Sequence, residues 1–286
     1  MPTDIGAVDC MIGFPGADPA RRYAFLQPQL KDDATSDART PVAYMFKDDP
    51  NRLDERADRV QATLDAMDRV GVAVGLVGLA GKTVERALAE HPDRFRPTLE
   101  VDPNDITGAV RGIRQAHAER GIVGVTTFPA GCNPQVPVSD RRYYPVYQTC
   151  VDLGLPIMVN AGIAGPRVPS ACQDVMHFDQ VCYDFPELRI VMRHGAEPWQ
   201  DLAVKLMLKW PGLYYMTSAF APKYYPRAIV DYANTRGADK VLYAGYFPMG
   251  LTLDRIFSEL PSVPFRDHVW PKFLRENAVE VFGLEA

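Results

Sequence analysis

Eight short runs of apolar, mostly β-branched residues recur along the chain, separated by segments with the apolar spacing of amphipathic helices. The runs lie at 7–13, 72–79, 96–102, 122–128, 156–162, 189–195, 213–219 and 241–247. Several helical segments end at Gly or just before Pro, as helices commonly do. Eight alternations of strand and helix predict an α/β fold, the (β/α)8 or TIM barrel, whose strand-to-helix loops carry the functional groups. An open doubly wound sheet is the competing fold, but no GxGxxG motif follows the first run.

Length and composition fit one large domain. With 286 residues, of which 47% are hydrophobic, the chain can bury a single barrel core, and we treat 1–286 as one domain. A segment rich in Pro, Asp and aromatic residues occupies 14–55, directly after the first strand. Long connections are commonly functional, and we expect this insertion to form a lid that brings Tyr44 or Phe46 to the barrel mouth. A packing arm or a dimer contact is the alternative.

Charge and patterning restrict the partners. The net charge of −5 and the scattered Lys and Arg residues give no basis for binding nucleic acid or a membrane surface. No basic leader precedes a long apolar stretch, and no segment has the roughly 20 apolar residues of a membrane span. The five cysteines show no zinc-type spacing and are expected to be reduced. We therefore expect a cytoplasmic protein, a homo-oligomer, with a small-molecule substrate.

Three of the apolar runs end in a polar residue, namely Asn160, His194 and Tyr246. Side chains alternate across a strand, so His194 is expected to point into the barrel together with Met192, while Arg193 points toward the helices. A polar residue at the carboxyl end of an inward apolar series is typical of a barrel active site.

Three late segments carry a resemblance to a known family. They are IVMRHGAEPWQDLAVKLMLKWPGLYYMTSAFAP, KVLYAGYFP and FLRENAVEVFGLEA. The chain resembles the amidohydrolase-related family that includes aminocarboxymuconate semialdehyde decarboxylase and related aromatic-acid decarboxylases and hydrolases. The resemblance implies a (β/α)8 barrel with a divalent metal held by a His-x-His pair on the first strand, a His on the fifth, a His on the sixth and an Asp on the eighth.

The ligand positions that the resemblance implies are mostly occupied by other residue types. The first-strand pair falls on Met11 and Gly13, the fifth-strand position on Asn160 and the eighth-strand position on Tyr246, so that only His194 matches. A catalytic zinc needs three protein ligands. We therefore expect no metal and no other cofactor.

An atypical metal site is the open alternative. It would combine Asp9 or Cys10 with His194 and the phenolate of Tyr246. A phenol with a reference pKa of about 10 is a poor ligand unless the metal is already tightly bound, which disfavours this set.

The candidate catalytic residues each have a structural alternative. His194 suits proton transfer near neutral pH, and we expect a titration between about pH 5 and 8, although it could instead be a core histidine. Tyr246 could donate a hydrogen bond to an oxyanion or simply fill space. Asn160 could orient a substrate carbonyl or bond to His194.

The candidate substrate-binding residues are mainly cations near strand ends. Arg193, Arg167 and Lys223 could hold a substrate carboxylate, or could be structural and solvated charges. Met11 and Phe46 complete the expected contacts. The leading hypothesis is a metal-independent enzyme that hydrolyses or decarboxylates a small carboxylated or carbonyl-bearing compound. The rival is a catalytically inactive barrel that binds a metabolite or a protein partner.

Overall fold

Eight parallel strands form one sheet in chain order, as the sequence predicts. A computed structural model describes residues 1–16, 19–36, 38, 40–45, 50–54 and 56–285. The sheet order is β1 to β8 without interruption, and every neighbouring pair is parallel. The strands are β1 (Ala7–Asp9), β2 (Val72–Gly78), β3 (Phe95–Glu100), β4 (Gly124–Thr127), β5 (Ile157–Asn160), β6 (Ile190–Arg193), β7 (Leu213–Met216) and β8 (Val241–Leu242).

The sheet closes on itself between its first and last strands. The backbone N–H of Cys10 donates to the carbonyl of Tyr243 at 3.2 Å. Beyond the strand ends, the N–H of Tyr246 donates to Met11 O at 3.1 Å and the N–H of Gly13 donates to Phe247 O at 2.8 Å. These bonds leave no open edge at β1 or β8, so the sheet is a barrel.

Helices surround the barrel, and most follow a strand. They are α1 (Asp33–Ser36), α2 (Arg59–Val70), α3 (Gly81–Glu90), α4 (Ile106–Arg120), α5 (Tyr144–Leu153), α6 (His177–Asp184), α7 (Gln200–Lys209), α8 (Arg227–Ala233), α9 (Leu253–Glu259), α10 (Val269–Pro271) and α11 (Asn277–Phe282). The long helix α2 is capped at its N-terminus by Asp58, whose carboxylate accepts two backbone N–H groups, and at its C-terminus by Gly71, which adopts the left-handed conformation. None of the helices that the structure describes is long and apolar enough to cross a membrane.

Alternation along the strands divides the core into an inner and an outer layer. The inner layer fills the barrel with Val8, Leu76, Met158, Val191, Met216 and Leu242, and α11 closes its lower end with Phe282. The outer layer packs neighbouring strand residues such as Val159 and Met192 against the helices. Gly124 lies between Met158 and Phe282, each within 3.3 Å of where a Cβ would stand, so a larger residue would not fit there without displacing them.

The described part of the insertion contacts loops at the carboxyl ends of the strands. The Tyr44 hydroxyl donates to Gly165 O at 2.6 Å in the loop after β5. The side-chain amide of Asn51 donates to Pro248 O at 3.0 Å and to Leu251 O at 2.7 Å, after β8. Gln29 donates to Gly131 O at 2.9 Å, after β4.

Candidate functional site

A pocket of about 690 Å³ opens at the carboxyl ends of the strands. Five of the residues predicted from the sequence line it together, namely Met11, Asn160, Arg193, His194 and Tyr246. The insertion contributes Tyr23, Phe25, Val42 and Met45 to the same wall. The pocket thus combines a polar floor at the strand ends with a largely apolar upper wall.

Backbone conformation is unusual around this floor. Among the described residues, every non-glycine residue with a positive φ follows β6, β7 or β8: His194 at 69°, Ala196 at 55°, Ala219 at 74° and Tyr246 at 62°. Residues with a Cβ rarely adopt a positive φ, and backbone strain of this kind concentrates at functional sites. His194, Ala219 and Tyr246 line the pocket.

Arg193 points into the barrel, which corrects the prediction that it faces the helices. Val191 belongs to the inner layer, while Met192 packs in the outer layer, so Arg193 falls on the inner face. β6 ends at Arg193, and the left-handed conformation of His194 interrupts the alternation. Both neighbouring side chains therefore reach the pocket.

Arg193 is buried, with 7% of the residue's surface exposed. Its Nε donates to Oδ1 of Asn160, and Nη2 lies 3.5 Å from the carbonyl of Thr127. Within the described residues Arg193 forms no ion pair, although Glu100 at the end of β3 lines the same pocket and favours its charge at longer range. Burial lowers the pKa of Arg193 from its usual value. The pocket therefore offers a desolvated cation to an anionic ligand.

Asn160 bonds to Arg193, whereas the sequence suggested a bond to His194 or to a substrate carbonyl. Its Oδ1 accepts the Nε–H of Arg193, and the side chain is 6% exposed. An amide oxygen in this place orients the guanidinium without neutralising its charge.

The surroundings of His194 favour the neutral form of its imidazole. Burial, followed by the charge of adjacent Arg193, lowers the pKa of His194 to about 3. The direction of this shift is opposite to what the predicted titration between pH 5 and 8 requires. Nδ1 lies 3.0 Å from Ser218 Oγ, and the ring meets the ring of Tyr246 edge-on with centroids 4.9 Å apart.

Arg167 and Lys223 are predicted residues that the structure does not bring to the floor. Arg167 forms an ion pair with Asp32 at 2.9 Å and lies over the ring of Tyr44, outside the pocket lining. Lys223 lies over the ring of Tyr224, also outside the lining. Phe46 falls outside the residues that the structure describes.

The sequence analysis does not identify three residues that lie in or beside the pocket. Glu100 ends β3 in the pocket, and the same strand-end rule could have found it in RPTLEVD. Arg59 lines the pocket from the first turn of α2, far from any strand end in sequence. Ser218 is fully buried beside His194, and nothing in the sequence distinguishes it from other serines.

The residues that the resemblance places at the family's ligand positions do not have the chemistry of a metal-binding set. A thioether, a glycine, an amide, one imidazole and a phenol stand at Met11, Gly13, Asn160, His194 and Tyr246. Throughout the described part of the chain, no group of three or more His, Cys, Asp or Glu side chains could hold a metal ion. In the alternative set, burial raises the pKa of Cys10, which keeps its thiol protonated. The cation of Arg193 in the same pocket also opposes a second cation.

The chain matches the sequence model of a known protein family over most of its length. The model of the family described as Amidohydrolase matches residues 14–284. The chain belongs to this amidohydrolase family. The match begins directly after the residues at the first-strand ligand positions, and it confirms the family resemblance seen in the late segments.

One curated relative matches part of the chain at low sequence identity. A 2-keto-4-carboxy-3-hexenedioate hydratase from Sphingobium sp. is 22% identical over 201 residues, which cover 64% of this chain and 58% of the hydratase. The chain thus spans less than two thirds of that relative.

Two solved structures match nearly the whole chain. An uncharacterised TIM-barrel protein from Bordetella bronchiseptica superposes with a TM-score of 0.74 at 19% identity, covering 97% of this chain and 98% of the other. A 5-carboxyvanillate decarboxylase from Novosphingobium aromaticivorans, complexed with manganese and 4-hydroxy-3-methoxy-5-nitrobenzoic acid, has a TM-score of 0.67 at 15% identity, covering 99% and 100%. These likenesses confirm the TIM-barrel prediction.

Proposed function

We propose that this protein binds a small carboxylated compound and transforms it without a metal. One observation supports the proposal most strongly. Arg193 is buried and lines the pocket, and it forms no ion pair with any described residue. A buried charge is costly unless it is paired, and a substrate carboxylate would supply the missing charge together with two hydrogen bonds. Asn160 holds the guanidinium in position for that contact.

The remaining polar groups suit stabilisation of charge on a substrate oxygen. His194 and Tyr246 lie beside Arg193 at the pocket floor, and neutral donors in a desolvated site stabilise a developing oxyanion effectively. Among the described residues that line the pocket, Glu100 is the one that carries a carboxylate, and it is the candidate acid or base. Hydrolysis or decarboxylation of the bound compound is the proposed reaction.

The compounds named for related proteins support a carboxylated substrate. The structurally similar decarboxylases act on or bind aromatic carboxylates, such as 2,6-dihydroxybenzoate, and the curated relative is a hydratase of a carboxylated hexenedioate. The upper wall of the pocket, with Phe14, Phe25, Phe128 and Phe220, suits a flat or conjugated body attached to the carboxylate.

The insertion is proposed to act as a lid. It supplies Tyr23, Phe25 and Met45 to the pocket wall, and its Tyr44 bonds across to Gly165 in the loop after β5. A lid of this kind excludes water from the floor and so strengthens the contact of a carboxylate with Arg193.

The test is a panel of aromatic and unsaturated mono-, di- and tricarboxylates. Binding is followed by thermal shift and turnover by loss of conjugated absorbance or by release of CO2. We expect at least one acid to stabilise the wild type and to be consumed, and Arg193→Gln to abolish both effects. The matched control Lys223→Gln, outside the pocket, should behave as wild type. Binding without turnover would support the inactive-barrel alternative, and no binding by any acid would contradict the proposal.

A further inference from the structure

The hydrogen-bond geometry beside His194 determines which ring nitrogen carries the proton. Ser218 follows β7 and is fully buried. Its Oγ lies 3.1 Å from the backbone nitrogen of His194 and 3.0 Å from Nδ1 of the same residue. One hydroxyl therefore meets both the backbone and the ring of His194.

The backbone carbonyl of Ser218 is a second polar neighbour of the ring and favours a proton on it. Counting hydrogens shows which arrangement leaves the hydroxyl proton of Ser218 with an acceptor. The backbone N–H of His194 can only donate, so Ser218 Oγ accepts from it. The hydroxyl proton of Ser218 then needs an acceptor, and among the described residues Nδ1 of His194 is the atom in reach. A buried hydroxyl proton without an acceptor is unfavourable. Nδ1 therefore accepts, and in a neutral ring the proton lies on Nε2.

The other ring nitrogen is open to the pocket. No side chain of a described residue is hydrogen-bonded to Nε2 of His194. The described buried polar side-chain atoms that lack a partner are Asp9 Oδ2, Tyr243 Oη and Glu259 Oε2, and Nε2 is not among them. Because His194 lines the pocket, Nε2 is accessible from that side.

We propose that Ser218 holds His194 in the Nε2–H tautomer, so that the pocket presents a neutral imidazole N–H donor next to the guanidinium of Arg193. Ser218 is then a positioning residue, and His194 binds a substrate oxygen rather than removing a proton or ligating a metal through Nε2. The donor role toward substrate rests on the proposed function, whereas the tautomer does not. The pair suits a compound with a carbonyl or enolate oxygen near its carboxylate, since Arg193 takes one group and Nε2–H the other.

The experiment is a two-bond 1H–15N correlation spectrum of the full-length protein labelled with 15N-histidine at pH 7.5. The signals of His194 are assigned by their loss in His194→Gln. We expect one protonated ring nitrogen that couples to both Hδ2 and Hε1, which identifies Nε2. A proton on Nδ1, or on both nitrogens, would overturn the proposal whether or not a substrate has been found.

Variants test the part played by Ser218. Ser218→Ala should convert His194 to a mixture of tautomers, and an unchanged Nε2–H signature would show that Ser218 does not hold the ring. If the alanine variant fails to fold, Ser218→Cys makes the same comparison with a weaker donor. A matched control exists in Ser139, whose Oγ lies 2.8 Å from Nδ1 of His177 on another face. Ser139→Ala should alter the His177 signals and leave those of His194 unchanged.

Discussion

At the scale of single residues, a buried arginine and a neutral histidine share the end of one strand. The left-handed conformation at His194 turns its side chain to the same side as Arg193, and the neighbouring charge then disfavours protonation of the imidazole. An imidazole that stays neutral between pH 5 and 8 can form hydrogen bonds to a substrate. The sequence analysis instead expects His194 to transfer a proton in this range.

Replacing His194 tests its role in turnover. His194→Asn should lower turnover by about 10²-fold, the typical cost of losing one donor to a developing oxyanion. The melting temperature should change little, because the ring already faces the pocket. His194→Gln, whose amide N–H can approach the position of Nε2, should retain more activity. An equally active Asn variant would end the catalytic interpretation, and an unfolded one would favour a structural role.

At the scale of elements, Asp9 at the end of β1 bonds to the segment that follows β8. Its Oδ1 accepts the backbone N–H groups of Met11 at 3.0 Å and Gly245 at 2.9 Å. A Cβ at Gly245 would stand 2.6 Å from both Asp9 Oδ2 and the Tyr243 hydroxyl, so glycine is required there. The loops that carry Met11 and Tyr246 are thereby held at a fixed separation.

Burial raises the pKa of Asp9 to about 7, and this predicts a dependence of stability on pH. The folded state binds the proton more strongly than the unfolded chain, in which an Asp has a pKa near 3.9. The stabilisation is therefore complete below about pH 4 and is lost as the pH rises through about 7.

Asp9→Asn checks this dependence, because the amide oxygen can accept the same two N–H groups but cannot ionise. Urea unfolding at pH 5 and 8 should show the wild type losing on the order of 2–3 kcal/mol relative to the variant between the two pH values. A constant difference between wild type and variant at the two pH values would contradict the assignment. Asp54→Asn, at an exposed position, is the control.

The same elements show what the sequence could and could not predict. The eight strands were predictable because parallel strands buried on both faces are continuous apolar runs. The direction of Arg193 was not, since it depends on where β6 ends and on a left-handed residue that has a Cβ. The bond between Asp9 and Gly245 joins positions 236 residues apart, which no local pattern encodes. Asn160 was identified as a site residue, but its partner Arg193 was misassigned because the alternation was extended through His194.

At the scale of the whole molecule, the barrel has the architecture of the family, and its pocket brings together an imidazole, a phenol and a guanidinium. The ligand positions that the resemblance implies hold one imidazole, that of His194. The fold determines where a ligand binds, and these side chains determine what it can be. The homo-oligomer and the cytoplasmic location stay predictions.

The metal content of the purified protein tests the proposal that the pocket works without a metal. The purified protein should contain zinc, iron and manganese at well below one ion per chain, because the described residues supply too few ligands. Elemental analysis of protein from metal-supplemented cultures is the measurement. One tightly held transition metal per chain, absent from His194→Ala, would refute the prediction.

The central claim is that Arg193 binds a carboxylate without the help of a metal, and calorimetric titration tests it most directly. The protein is treated with a chelator and titrated with the tightest-binding acid of the carboxylate panel. We predict the same Kd before and after chelation, and a Kd at least 10-fold weaker in Arg193→Gln, since a charge-assisted pair contributes roughly 1.5–3 kcal/mol. Binding that disappears on chelation and returns with added metal, or that is unaffected by Arg193→Gln, would contradict the account.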